Sequence, residues 1–296
     1  MKISINGRDF NYIQNAINDD KYRASYFSLV ERVFGLDFNP WHESGFCKGC
    51  FTPYTLFDGS TAISSVGVAI NDFIWNGSKK RYAQISTVAT DPDYRNLGLS
   101  RWLSETVLDE WREKCDCIYL YANDSVVDFY PKFGFTPVNE YTYNMPLVKK
   151  DGTFRKLNLS DRNDVEMLIK YYKKSNPYSL ITMSKDIEMM MFHCITFLSD
   201  CIYYIEEHGA VAIAVMEDGK MFCYDVFTDA NCPINDILGI ITPEEIDTVT
   251  LGFTPKDKTG YIVEKANEED TTVFVLKGMK NVFVENKITL PYLSRA

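Results

Sequence analysis

Arg95, Gly98 and Ser100, spaced Arg-x-x-Gly-x-Ser within the run from Gln84 to Arg101, are the residues of this chain best suited to hold a phosphate. A glycine at that place lets an anion approach the backbone. The first N–H groups of a helix starting there have no intrahelical partner, so together with the positive end of the helix dipole they favour negative charge. The neighbouring residues supply the elements that would position this cradle. Residues 83–90 are small or β-branched without a breaker, which suits a buried strand, and Asp91-Pro92-Asp93 stops it. Leu99, Leu103, Val107, Leu108 and Trp111 then recur at three- and four-residue spacing, with Glu105, Asp109, Glu110 and Arg112 on the remaining surface. That periodicity predicts an amphipathic helix beginning at residues 96–98.

Downstream, residues 117–121 read as another strand, 123–125 as a helix cap and 126–130 as a short helix, followed by Tyr130-Pro131-Lys132-Phe133-Gly134-Phe135. The two stretches, in this order and at this separation, resemble the two cofactor motifs of the GNAT superfamily of N-acetyltransferases. These are an Arg-x-x-Gly-x-Gly/Ala loop and an aromatic-Tyr pair before a Gly-Phe turn. Ser100 departs from the usual Gly or Ala; its hydroxyl can donate a hydrogen bond to phosphate. The resemblance implies acetyl-coenzyme A as co-substrate. Arg95, Asn96, Leu97, Gly98, Leu99, Ser100 and Arg101 would surround its pyrophosphate, Val88, Ala89 and Thr90 would run along the pantetheine arm, and Asn123 and Phe129 would complete the site. It further implies a bulge in the strand at residues 87–89, aiming the Val88 N–H at the thioester oxygen as an oxyanion donor. Tyr130 is then the general acid, because a phenol near pKa 10 is close in basicity to the departing thiolate. The general base is not legible: His42, Glu43 and Asp58 all stay open. A resemblance to tandem acetyltransferases of the enhanced-intracellular-survival type adds the terminal carboxylate of Ala296, since residues 290–296 read as a docking tail.

The implied fold class is α/β with a mixed sheet, the acyl-CoA N-acyltransferase (GNAT) fold. Before the cradle we expect a strand at 2–5, helical segments over 10–33 and strands at 52–57, 62–71 and 82–90, with turns at Asp58-Gly59 and Asn76-Gly77. Residues 141–147 read as the last strand of a first unit, 1–148, and the charged turn at 148–153 as a linker. The order of elements then restarts. A strand at 154–159, a helix capped by Ser160, a second helix capped by Ser184, and strands at 201–206, 210–216 and 220–228 predict a degenerate GNAT-like unit over 149–296 without the cofactor motif. The run Gly252-Phe253-Thr254-Pro255 echoes Gly134-Phe135-Thr136-Pro137.

A chain of 296 residues is long enough for two cores, and 46% hydrophobic and 14% aromatic content suits a compact protein. Without a signal-peptide core or an uninterrupted apolar span, a cytoplasmic protein with no membrane partner is expected. Lys and Arg number 31 against 41 Asp and Glu, a formal charge of −10 without a basic cluster, which argues against nucleic acid. An acidic surface suits cationic amines such as polyamines or aminoglycosides, or only solubility. Cys47-Lys48-Gly49-Cys50 has metal-ligand spacing, but Cys115-Asp116-Cys117 does not complete a usual zinc pattern, and no metal is expected. The functional expectation is direct transfer of an acetyl group to a primary amine of a small molecule in a ternary complex. An acyl-CoA-binding regulatory module is the alternative. Acceptor identity and oligomeric state, a homo-oligomer included, are open.

Overall fold

The computed structural model describes residues 1–184 and 187–296. Its strands are β1 (Lys2–Ile5), β2 (Arg8–Gln14), β3 (Phe51–Asp58), β4 (Thr61–Trp75), β5 (Ser78–Thr90), β6 (Cys117–Ala122), β7 (Phe135–Val138) and β8 (Tyr141–Pro146). They continue with β9 (Phe154–Lys156), β10 (Ile181–Met183), β11 (Ile202–Ile205), β12 (Ala210–Glu217), β13 (Lys220–Phe227), β14 (Thr248–Leu251), β15 (Ile262–Lys265) and β16 (Thr272–Leu276). The helices are α1 (Arg23–Phe34), α2 (Asn39–Glu43), α3 (Leu99–Trp111), α4 (Arg162–Tyr172), α5 (Ile187–Thr196), α6 (Ile234–Ile241) and α7 (Val282–Glu285).

Two sheets share one plan. The first runs β1-β2-β3-β4-β5-β6-β16-β7, with β10 added beside β4, and the second runs β15-β8-β14-β13-β12-β11-β9. Each is antiparallel except for one parallel step, β5 to β6 in the first and β13 to β14 in the second. Each has a bulge just before that step, at Ser65/Gly67 opposite β5 and at Ile213/Ala214 opposite β13. The chain is therefore two GNAT-like α/β units in tandem, and their last strands are exchanged. Strand β16, from the second half, lies between β6 and β7, while β8, from the first half, lies between β14 and β15. A division at 148/149 thus does not separate the sheets, and the strand expected at 141–147 lies inside the second sheet rather than in the first.

Side-chain burial makes the exchange energetically firm. Phe274 and Leu276 of β16 join the core under α3, and Val273 and Val275 pack on the opposite face with Phe73 and Tyr82. Burial of one such side chain contributes roughly 1.5–3 kcal/mol. The α3 periodicity acts as expected, burying Leu99, Leu103, Val107 and Leu108 against the first sheet. Helices α1 and α2 cover the other face in a core that also takes Met189 and Phe192 of α5.

Four local expectations are corrected. Residues 8–14 form strand β2, paired with β3, before α1 begins at Arg23. The helix expected at 126–130 is two 3₁₀ turns, Asp124–Val126 and Tyr130–Phe133. The repeated Gly-Phe-Thr-Pro does not mark equivalent places: Gly134-Phe135 leads into β7, whereas Gly252 follows β14, whose counterpart is β6. Asp161, not Ser160, caps α4 by accepting from the Asn163 N–H. The cap expected at Ser184 adjoins residues 185–186, which lie outside the described residues. No helix among the described residues is long and apolar enough to cross a membrane.

Candidate active site

Backbone geometry sets the cradle. Asp91 closes the turn after β5 by accepting from the Asp93 N–H, and its other oxygen is paired with Arg32 of α1 at 3.0 Å. Asn96 (φ 63°) and Gly98 (φ 78°) both take left-handed backbone, a conformation natural to Gly and Asn. Gly98 caps α3 without a side-chain acceptor, and the first intrahelical bond runs from the Trp102 N–H to the Gly98 carbonyl at 3.0 Å. The N–H groups of Leu99, Ser100 and Arg101 precede that bond, as a phosphate site requires. Asn6, in the turn between β1 and β2, steadies the loop by donating from Nδ2 to the Leu97 carbonyl at 3.0 Å.

The cleft beside this cradle exists because the first sheet splays. Strands β5 and β6 pair from Tyr82/Cys117 to Ile85/Leu120 and then separate, β5 continuing against β4 and β6 against β16. The gap opens into a cleft of about 810 Å³. Val88, Thr90, Arg95, Asn96, Gly98, Leu99, Ser100, Arg101, Asn123, Phe129 and Tyr130 all line it. Two expected residues do not. Ala89 alternates to the opposite face of β5 and is buried with α1 and α2, and the Leu97 side chain packs on the core under α3.

At the splay, Thr87 and Val88 face the single residue Val66, which is the expected bulge. Thr87 has φ 44°, an outlier for a β-branched residue that its surroundings must hold in place. Gly67 on β4 makes room for it: a Cβ there would overlap Thr87 Oγ1 and approach the Phe51 ring at 2.5 Å. Across the cleft, Tyr130 is buried between Phe129, Phe135 and Phe274. Burial pushes its phenol up to about 12, above the ordinary value assumed from sequence, so it carries its proton throughout the neutral range. Asn123 Nδ2 donates to Asp270 Oδ2 at 2.8 Å, which leaves its Oδ1 as the side-chain group for a ligand.

Ala296 lies on the other side of β5. Its N–H donates to Gln84 Oε1 at 3.0 Å and its main-chain oxygen accepts from Gln84 Nε2 at 2.8 Å. Arg295 beside it is paired with Glu140 at 2.8 Å and Glu268 at 2.7 Å. It also stacks on Tyr292 and Tyr121, the latter a wall of the cleft. The three residues left open as bases are not brought together: Asp58 accepts from the Tyr94 hydroxyl at 2.8 Å, and neither His42 nor Glu43 lines the cleft.

Residues 13–135 match the model of the acetyltransferase (GNAT) family. This stretch is a GNAT domain. The match covers residues 13–135, less than half of the chain. No curated protein matches it in sequence. Among solved structures it is similar to a probable N-acyltransferase from Enterococcus faecalis V583, with a TM-score of 0.56 and 16% identity over 90% of this chain and 72% of that one. It is also similar to GCN5-related N-acetyltransferases from Kribbella flavida, with a TM-score of 0.55, 14% identity and 90% and 71% coverage, and from Anabaena variabilis ATCC 29413, with 0.54, 14%, 90% and 72%. At such identities the likeness speaks for the fold, and it extends over both units.

Several residues that shape the GNAT site carried no sequence signal. Gly67, Asn6 and Asp270 act through backbone or through partners 91 to 147 residues away. The loop at residues 47–50 has another occupation than metal: Glu188 Oε2 of α5 accepts from the N–H groups of Lys48, Gly49 and Cys50 at 3.1, 2.7 and 2.9 Å. Burial, with the Glu188 carboxylate nearby, pushes the Cys47 thiol up to about 12 and keeps it protonated. Among the described residues no cluster of His, Cys, Asp or Glu is arranged for a metal ion. In the second unit, the tail takes up the corresponding splay. The Tyr292 N–H donates to the Gly252 carbonyl at 2.9 Å and its ring packs on Phe222 and Tyr224.

Proposed function

We propose that this chain transfers the acetyl group of acetyl-CoA to the primary amine of a small molecule by direct attack in a ternary complex. The observation that carries this reading is the splayed, bulged β5 beside a helix start whose first three N–H groups are free of intrahelical bonds. Ser86 to Thr90 present a strand edge to a pantetheine arm, and the Leu99, Ser100 and Arg101 amides suit its pyrophosphate. The Val88 N–H is the oxyanion donor. The amine nitrogen forms the N–C bond, and the C–S electron pair leaves on sulfur. Sulfur takes the proton of Tyr130, and the proton shed by nitrogen passes to the base and from it, through solvent, to the phenolate. Only the amine and acetyl-CoA are consumed.

Asn123 Oδ1 and Phe129 orient the arm in this scheme. Ala296 remains the candidate base: its backbone is fixed by Gln84, and Thr87 separates it from the cleft. Extending the chain past Ala296 by a few residues should then abolish turnover while acetyl-CoA still binds, and full turnover excludes the role. For the cofactor site, calorimetric titration with acetyl-CoA should show micromolar binding that is lost in an Arg95→Ala, Gly98→Glu double variant. Equal binding by both proteins refutes the assignment.

A further inference from the structure

A second cavity, of about 210 Å³, lies across β5 from the acetyl-CoA cleft, and Thr87 lines both. The two spaces therefore meet at the bulge where the thioester is placed. Phe38, Trp41 and Phe51 of the first unit and Met189, Phe192 and Phe197 of the second wall the cavity. Five rings and a thioether offer dispersion and ring-edge contacts. The Trp41 Nε1–H in this wall is buried without a partner.

Charge decides what such a cavity can take. Among the described residues no aspartate or glutamate lines it, but Ala296 does; the terminal carboxylate proposed above as base is one counter-charge, enough for one amine and leaving the further charges of a polycation unpaired. The titratable side chains that do line it are Arg295, a cation already paired with Glu140 and Glu268, and His193. His193 Nε2 lies 2.8 Å from the Arg295 carbonyl, to which it must donate, which makes Nδ1 an acceptor in the neutral ring. Burial pushes that imidazole down to about 4, so it stays neutral. An apolar wall of this kind favours an amine in its uncharged, nucleophilic form.

We propose that this cavity is the acceptor site and that it takes a primary amine on a short chain bearing one aromatic ring. The proposal rests on the acetyl-transfer reading above. Size supports it: an apolar cavity of ~150 Å³ encloses a benzene. The larger volume here adds room for a two-carbon arm reaching Thr87 and leaves none for a second ring. The acidic exterior, which from sequence suits polyamines and aminoglycosides, does not extend into the cavity.

The test compares 2-phenylethylamine with spermidine and kanamycin as acceptors, following release of the coenzyme A thiol by the full chain. We expect kcat/KM for 2-phenylethylamine to exceed that for either polycation by at least about tenfold. Leu36→Trp, which fills the cavity from its partly exposed rim, should cut the 2-phenylethylamine value by at least about tenfold, with the acetyl-CoA Kd within about twofold of wild type. Preference for a polycation, or an unaffected Leu36→Trp variant, overturns the proposal while leaving acetyl transfer standing. If acetyl-CoA itself does not bind, the acetyl-transfer reading fails, and titration of 2-phenylethylamine alone decides the cavity. Binding lost in Leu36→Trp supports an amine site, and no binding overturns it.

Discussion

Replacing Gly67 by alanine tests how the site is held open. A Cβ at this position overlaps Thr87 Oγ1 and stands 2.5 and 2.7 Å from two atoms of the Phe51 ring, where ordinary contact begins near 3.4 Å. Neither neighbour can yield freely. Thr87 is fixed at positive φ by the bulge, and Phe51 is packed edge-on against Phe38 and Trp41. Overpacking of this degree costs about 1–3 kcal/mol, which for a chain of this size lowers Tm by roughly 2–5 °C. Thr87 separates the two spaces where the reacting atoms meet, and a displacement of ~1 Å there can lower turnover about 10²-fold. The cradle at 95–101 is formed by α3 and the β1–β2 turn, so acetyl-CoA affinity should change by less than about threefold. Thermal melts, calorimetry with acetyl-CoA and amine-dependent release of coenzyme A separate these effects. A Gly67→Ala protein with wild-type Tm and wild-type turnover would refute the reasoning.

Three further outcomes follow from the geometry. Tyr130→Phe should lower kcat by on the order of 10²-fold with acetyl-CoA affinity retained, and unchanged turnover removes the general-acid role. Two buried groups should bend the stability curve in opposite directions. Burial raises Asp225 from 3.8 to about 7, against hydrogen bonds from Asn176 and the Val226 N–H, so the folded state holds the extra proton and stability falls as pH rises from about 4 to 7. His193, lowered by burial from 6.5 to about 4, makes the unfolded state hold the extra proton, so stability rises with pH between about 4 and 6.5. The shifts correspond to roughly 4 and 3 kcal/mol. Asp225→Asn should therefore gain stability relative to wild type as pH rises, and His193→Gln should lose it; denaturant melts at pH 4.5 and 7.5 showing no such divergence contradict both. The fragment 1–148 lacks β16 and so leaves β7 unpaired and β6 paired only with β5; we expect it to lack a cooperative melt, and a sharp transition would show that the exchange is dispensable.

What could be read from sequence follows physical lines. The cradle was legible because strand, breaker, glycine and amphipathic helix are adjacent in the chain and each has a local cause. So were the turns at residues 58–59 and 76–77. The exchange of β8 and β16 was not legible, because an alternating or apolar run specifies which faces are buried and not which sheet it joins. Residues 8–14 mix polar and aromatic side chains with no clear period, and pairing with β3 decides their state. Long-range contacts hid the rest. Glu188 meets the 48–50 amides across about 140 residues, and Gln84 meets Ala296 across 212. Gly67 is needed only because Thr87 bulges opposite it, and no single position announces a bulge.

The most direct measurement of acetyl transfer is amine-dependent release of coenzyme A from acetyl-CoA by the full chain and by Gly98→Glu, which sets a carboxylate and a strained backbone into the cradle. We expect release that saturates with amine in the wild-type protein and falls to the uncatalysed rate in the variant. Amine-independent release, or equal rates in the two proteins, would contradict acetyl transfer at this site.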